Sequence, residues 1–243
     1  MAFVHRQRTR WHAGASGFLA REYGAPDGDG VVVDVRHLAE FREIHSTGRT
    51  LSIGAFADLA RLAEPHVTLL GNGPSAPLSF HFRLAALGAT ATIAGPGATR
   101  RAPFAEIVGA RRLPPHEIPV AVDLDASDGW TTGFGERRIT RRDGAATFDL
   151  HVLVALRLTG VHRIRGATVA YAIDGSAAVP IPACAAALDG AVVTKAALSD
   201  AARHAAEACR GDGERTSALR RTMVPLVLSA LNDAYAHARA CGA

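Results

Sequence analysis

Apolar and polar positions sort this chain into a β-rich first part and a helical last part. VVVDV (31–35) is a short β-branched run of the kind that makes a buried strand, and LSIGAF (51–56) alternates like a second one. Between them HLAEFREI has helical spacing, and FADLARLAEPHV sets Phe56, Leu59 and Leu62 on one helical face before Pro65 stops it. A loop rich in Gly, Pro and Ser (70–79) leads into HFRLAALGA, a predicted helix over 81–89 that ends near Gly88. Residues 90–150 carry mostly strand signal: TATIAG, GPGATRRAP as a turn, AEIVGA, and IPVAVDL. FDLHVLVALRLTG (148–160) is apolar enough for a buried helix or a long strand, whereas GATVAYAID (166–174) alternates cleanly as a strand. PACAAAL, LSDAARHAAEAC and SALRRTMVPLVLSALNDAYAHARA read as helices, with Pro225 at the start or at a kink of the last one. The chain therefore divides near residue 144 into a β-rich domain, 1–143, and a smaller α+β domain, 144–243, with an antiparallel sheet and C-terminal helices.

Composition narrows the classes of partner. With 243 residues, 48% of them hydrophobic and 21% charged, the chain has the balance of a folded protein, and no window approaches the roughly 18 unbroken apolar residues of a membrane span. A cytoplasmic location is expected, with no membrane partner. The net charge of +4 comes from 26 Arg and the single Lys195. With the abundant Ala, this skew points to a GC-rich, actinobacterial source. Pairs such as Arg137-Arg138 and Arg141-Arg142 are not interleaved with stacking aromatics, so a solvated surface is expected and no nucleic-acid partner. Cys184, Cys209 and Cys241 are odd in number and lack CxxC spacing, which reads as reduced thiols without a metal site.

Several segments in sequence order resemble the FAD-binding medium subunit of the molybdenum hydroxylases, of the carbon monoxide dehydrogenase and xanthine dehydrogenase type. HAGASGFLA (12–20) stands where that family carries an AGGT-like phosphate loop, and VVVDVRHLAEFREI with RTLSIGAFADLARL resembles its strand, helix and IGA strand. RLAALGATATIAGPGATRRAPFAEIV resembles the stretch after the flavin site, and TFDLHVLVALRLTG through RTSALRRTMVPLVLSAL resembles its C-terminal domain. The resemblance implies a truncated FAD-binding domain followed by a small α+β domain. Two departures bear on the cofactor. The loop reads Ala13-Gly14-Ala15-Ser16-Gly17, with Ala15 in place of the second glycine, and the family's RNxGTIGGN stretch is compressed to Leu70-Gly71-Asn72-Gly73-Pro74-Ser75.

By the resemblance, these two loops face one another across the old cofactor cleft. Gly14, Ser16, Phe18, Asn72, Ser75 and Phe80 are the candidate ligand-binding residues there. His12 and His81 adjoin the loops, and imidazole is the side chain most readily poised for proton transfer near neutral pH. With Arg83, a match for an acidic ligand group, they are the candidate catalytic residues; each also has an ordinary structural role open to it. Trp130 offers either an aromatic wall for an apolar ligand or a core residue, and Asp149 either an interdomain or a cleft contact. Asp123, Asp125 and Asp128 lack an EF-hand pattern and read as a polar hairpin, so no metal is expected.

Three functions follow as expectations. The first keeps the family's task, an FAD-binding electron-transfer subunit of a molybdenum hydroxylase. The second is a flavin-independent cyclase or isomerase, with no cofactor, that uses the vacated cleft on a small apolar metabolite such as a polyketide in antibiotic biosynthesis. The third is a non-catalytic ligand-binding protein. The second is preferred, and a homodimer is compatible with each.

Overall fold

The computed structural model describes residues 10–12, 32–34, 38–47, 50–58, 61, 77–109, 113–114, 117–125, 132–143, 146–160, 162–176, 178–209 and 214–241, with backbone alone at 10–12, 32–34 and some element ends. The chain forms two units, Met1–Asp128 and Gly129–Ala243.

In the first unit, β1 (Arg10–His12) pairs in parallel with β2 (Val32–Asp34), placing His12 opposite Asp34. A separate five-stranded antiparallel sheet is built from β3 (Ile44–Ser46), β4 (Thr50–Gly54), β5 (Thr90–Gly95), β6 (Ala98–Pro103) and β7 (Ile118–Asp125), in the order β3-β4-β7-β5-β6. Period-two alternation sends Leu51 and Ile53, Ala91 and Ile93, and Val122 and Leu124 to one buried face. Helix α1 (Pro77–Ala86) packs on α2 (Phe104–Gly109), which adjoins β5 and β6. Gly88, at φ 74°, ends α1 in the left-handed conformation that glycine adopts without strain, close to the predicted stop.

Local order departs from expectation in three places. HLAEFREI forms only a 3₁₀ turn at Ala39–Phe41 before Ile44 enters β3, because pairing of Ile44 with Ile53 satisfies its backbone within the sheet. GPGATRRAP is a turn only at residues 96–97; from Ala98 onward it is β6, registered residue for residue on β5. AEIVGA is helical over its described residues, 105–109, within α2.

The second unit is a four-stranded antiparallel sheet, in the order β11-β10-β9-β8, made of β8 (Thr132–Asp143), β9 (Ala146–Thr159), β10 (Arg163–Ile173) and β11 (Val179–Pro180). FDLHVLVALRLTG resolves as strand, since β9 pairs along its length with both β8 and β10. The division falls after Asp128 and not at residue 143, because β8 is hydrogen-bonded to β9 from Thr132–Arg157 to Asp143–Ala146 and cannot belong to another sheet. Phe148, Leu150, Val152, Val154, Leu156 and Leu158, the even positions of β9, face the core made with α3 (Pro182–Leu188), α4 (Lys195–Glu207) and α5 (Glu214–Cys241). The α+β class with an antiparallel sheet and C-terminal helices is as expected. Pro225 lies within α5, exposed, twelve positions into a 28-residue helix.

Helix α5 follows the outer edge of β8 in the opposite direction, from Thr222 beside Arg141 to His237 beside Phe134. The approach is close enough to exclude side chains. A methyl on Gly135 would lie 1.9 Å from the Ala230 carbonyl oxygen, and one on Gly133 would lie 1.9 Å from that of Ala234. Gly135→Ala is expected to destabilise the second unit by about 3 kcal/mol or more, since backbone must move to admit the methyl. Urea denaturation of the variant beside the parent checks this, and equal midpoints would refute the close packing.

Candidate functional site

On β9 the odd positions point away from the helices, and there the sheet carries a polar cluster beside an apolar surface. His151 is buried, with Arg138 of β8 and Ala172 of β10 directly opposite it. Glu136, diagonal to it on β8, lies 2.7 Å from its Nε2. An ionised carboxylate in that position accepts the Nε2 proton, fixes the ring's orientation and tautomer, and leaves Nδ1 as the basic nitrogen. Leu153, Ala155, Ala170 and Ala172, all buried and outside the helix-side core, extend the same face. A histidine–carboxylate pair at the rim of small apolar side chains can hold and move a proton or orient a carbonyl oxygen.

Beside this pair runs a chain of ions. Arg138 donates to both oxygens of Asp149, at 2.5 and 3.1 Å, and the Asp149 backbone N–H donates to Asp174 at 2.8 Å. Asp174 in turn takes Arg215 from the start of α5. Arg138 holds the Asp149 carboxyl below the ordinary carboxylate range, and the Asp149 amide, followed by Arg215, lowers that of Asp174. Desolvation opposes both shifts.

The expected site residues are distributed unevenly over the structure. Phe80 and His81 are buried on α1, with His81 edge-on to Phe104 at 5.8 Å between ring centroids, and Arg83 is half-buried on the same helix. His12 closes β1, and only its backbone is described. Gly14, Ser16, Phe18, Asn72, Ser75 and Trp130 lie outside the described residues. Asp149 is engaged by Arg138 within its own sheet. Asp123 is spanned by Ser52, donating at 2.7 Å, and Arg101 at 2.9 Å, so it is satisfied across neighbouring strands. Among the described residues no cluster of three or more His, Cys, Asp and Glu is placed to hold a metal, and no helix is long and apolar enough to cross a membrane. Cys184 and Cys209 are buried and unbridged, and burial pushes the Cys184 thiol up to about 12.

Glu136 and His151 were not singled out by sequence, although a signal existed. Asp143-Gly144 is a strong hairpin dipeptide, and the β8–β9 register pairs residues whose numbers sum to 289, which sets Arg138 opposite His151 and Glu136 on the diagonal from it. Reading residue 144 as a domain boundary hid that register.

No family model and no curated protein sequence matches the chain. Among solved structures it is similar to a chain of carbon monoxide dehydrogenase from Hydrogenophaga pseudoflava, with TM-score 0.68 and 22% identity over 95% of this chain and 90% of that one. It is also similar to a chain of quinoline 2-oxidoreductase from Pseudomonas putida 86, with TM-score 0.66 and 21% identity over 96% and 91% of the two chains. A chain of the Cu,Mo-CO dehydrogenase follows at TM-score 0.65 and 16% identity. At these identities the likeness is one of fold, and that fold is the one implied by the resemblance to the medium subunits of molybdenum hydroxylases. The loops where the resemblance sets a flavin, 13–17 and 70–75, lie outside the described residues.

Two outcomes test the electrostatics. The Asp149 and Asp174 carboxyls lie below their unfolded values, so their contribution to stability is complete above the unfolded carboxylate value of about 3.9 and is lost as pH falls through the lower folded values. Urea midpoints of the parent and Arg138→Met should therefore differ at pH 7 and converge below about pH 4. A thiol reagent at pH 8 should leave Cys184 and Cys209 unmodified in the folded protein and reach both in denaturant.

Proposed function

We propose that this chain is a flavin-independent enzyme that cyclises or rearranges a largely apolar small molecule of the polyketide class, in the cleft where the resemblance sets a flavin. The observation that carries the proposal is a mismatch: the fold matches flavoprotein-type chains over 95% of its length, while the two loops that would grip the cofactor have changed. A scaffold kept without its cofactor loops offers an apolar space for another ligand.

Such a reaction needs no electron carrier. Enclosing a flexible chain in a near-attack conformation removes much of its entropic barrier, and one or two hydrogen-bond donors polarise the reacting carbonyl or ether oxygen. In this proposal His12, Ser16, His81 and Arg83 supply those donors, and Phe80 belongs to the apolar wall. The substrate reaches them without nucleic acid or membrane.

A second function, FAD-binding electron transfer beside a molybdenum subunit, is favoured by the likeness to chains of carbon monoxide dehydrogenase and quinoline 2-oxidoreductase. One experiment separates the two. The visible spectrum of freshly purified protein is recorded, and the supernatant after denaturation is examined by mass spectrometry for released small molecules. Our proposal expects no flavin absorbance, no released FAD, and no rise in melting temperature on adding FAD. A stoichiometric flavin would replace it with the electron-transfer function.

A further inference from the structure

On the outer face of the second sheet, buried side chains give way to exposed ones along the strands, and His151 stands at the boundary. On β9, Ala155, Leu153 and His151 are buried, Asp149 is half-buried and Thr147 exposed. On β8, Glu136 is half-buried and Arg138 and Thr140 are exposed, while β10 runs from buried Ala170 and Ala172 to exposed Asp174. The imidazole therefore has apolar neighbours on one side and solvent close by on the other, its side chain 9% exposed against 25% for Glu136.

The fold does not require a polar pair at this position. β8 and β9 are already joined through their main chains at Arg138 and His151, and a buried histidine and carboxylate give up solvation that apolar residues of like size would not. Arg138, directly opposite His151, turns its donors to both oxygens of Asp149. Glu136 has further interactions of its own, and its Oε1 lies 2.7 Å from Nε2 of His151. The Nε2 proton thus goes to the carboxylate, and the lone pair on Nδ1 has no partner among the described residues.

We propose that His151 is the general base of a proton-transfer activity on small, uncharged 1,3-dicarbonyl compounds, with Glu136 as its positioning residue. The base sets the substrate class. Imidazole titrates near neutral pH, so it needs a carbon acid stronger than a simple ketone. A C–H between two carbonyls meets that need, because its electron pair spreads over both oxygens. Leu153, Ala155, Ala170 and Ala172 match an uncharged body. In the step the C–H bond breaks, its proton goes to Nδ1, and its electron pair moves onto the carbonyl oxygens as an enolate. The imidazolium keeps its Nε2 proton against the Glu136 carboxylate, which offsets the new charge. Return of the proton to oxygen or to carbon completes an isomerisation that consumes no other reactant. Because these groups all belong to the second unit, the activity is independent of His12, Ser16, His81 and Arg83 and of the function proposed above.

The full chain is mixed at neutral pH in D2O buffer with ethyl 2-methylacetoacetate, which carries a single C–H between its carbonyls, and loss of that proton's NMR signal is followed. The expected result is exchange that saturates with the probe and exceeds the buffer rate by roughly a hundredfold or more. His151→Gln is expected to fall to the buffer rate, and His162→Gln, the same change at an exposed histidine, to match the parent. Glu136→Gln is expected to lower kcat about tenfold with KM unchanged, since a neutral amide still meets the ring but does not offset its charge. In the parent, the ring 15N signals of His151 should shift saturably on adding the probe while those of His162 stay in place, a readout that needs no variant. Exchange at the buffer rate in the parent overturns the proposal. So does a rate retained in His151→Gln, an undiminished kcat in Glu136→Gln, loss of the rate in His162→Gln, or His151 ring signals that do not respond to the probe.

Discussion

The second unit depends on how closely α5 can approach β8. Two glycines on the strand, Gly133 and Gly135, meet Ala230, Ala234 and Ala238 on the helix, residues one turn apart that present a ridge of methyl groups. With small groups on both sides, helix backbone reaches strand backbone, and polar contacts become possible that longer side chains would hold apart. The Phe134 amide then finds His237, and Arg137 and Arg141 reach Ser229 and Thr222. The helix thus covers the edge that the sheet would otherwise leave open for pairing with another chain.

Covering one face and one edge with helices leaves the other face of the sheet to carry chemistry. β9 alternates strictly, so each even residue given to the core places an odd residue on the opposite side. Asp149 and His151 occupy that side because Leu150 and Val152 occupy the core. The ion chain from Arg138 through Asp149 and Asp174 to Arg215 ties the first turn of α5 to two strands, so the outer face and the helix layer are set by one network. Glu136 and His151 stand next to that network and inherit its rigidity.

Much of this architecture was legible where one periodicity dominated. LSIGAF, IPVAVDL and GATVAYAID carry strand patterns and fall on β4, β7 and β10, and the alanine-rich segments after Pro182 carry helical spacing and form α3, α4 and α5. Legibility failed where long-range pairing overrode local preference. HLAEFREI has helical spacing, but Ile44 gains more from Ile53 across a hairpin than from another helical turn. The arginine pair in GPGATRRAP reads as a polar turn, yet Arg100 and Arg101 sit on an exposed edge strand, where charge is compatible with β structure and Glu117 and Asp123 stand across from them. The site was less legible than the fold. The loops at 13–17 and 70–75 stand out only against a family pattern, and the Glu136–His151 pair appears only once the β8–β9 register is known.

Fold and cofactor binding rest on different physics. Fold is maintained by distributed burial, which tolerates wide substitution so long as periodicity and the few close approaches persist, and so it survives at 22% identity. A cofactor grip is concentrated instead in a handful of backbone amides, where one added methyl changes what fits. Selection relaxed on the cofactor would therefore alter those loops long before it altered α5 or β8. In this chain the segments 13–17 and 70–75 depart from the family pattern while the fold is kept, which is the order of loss that our proposal of a flavin-independent enzyme expects.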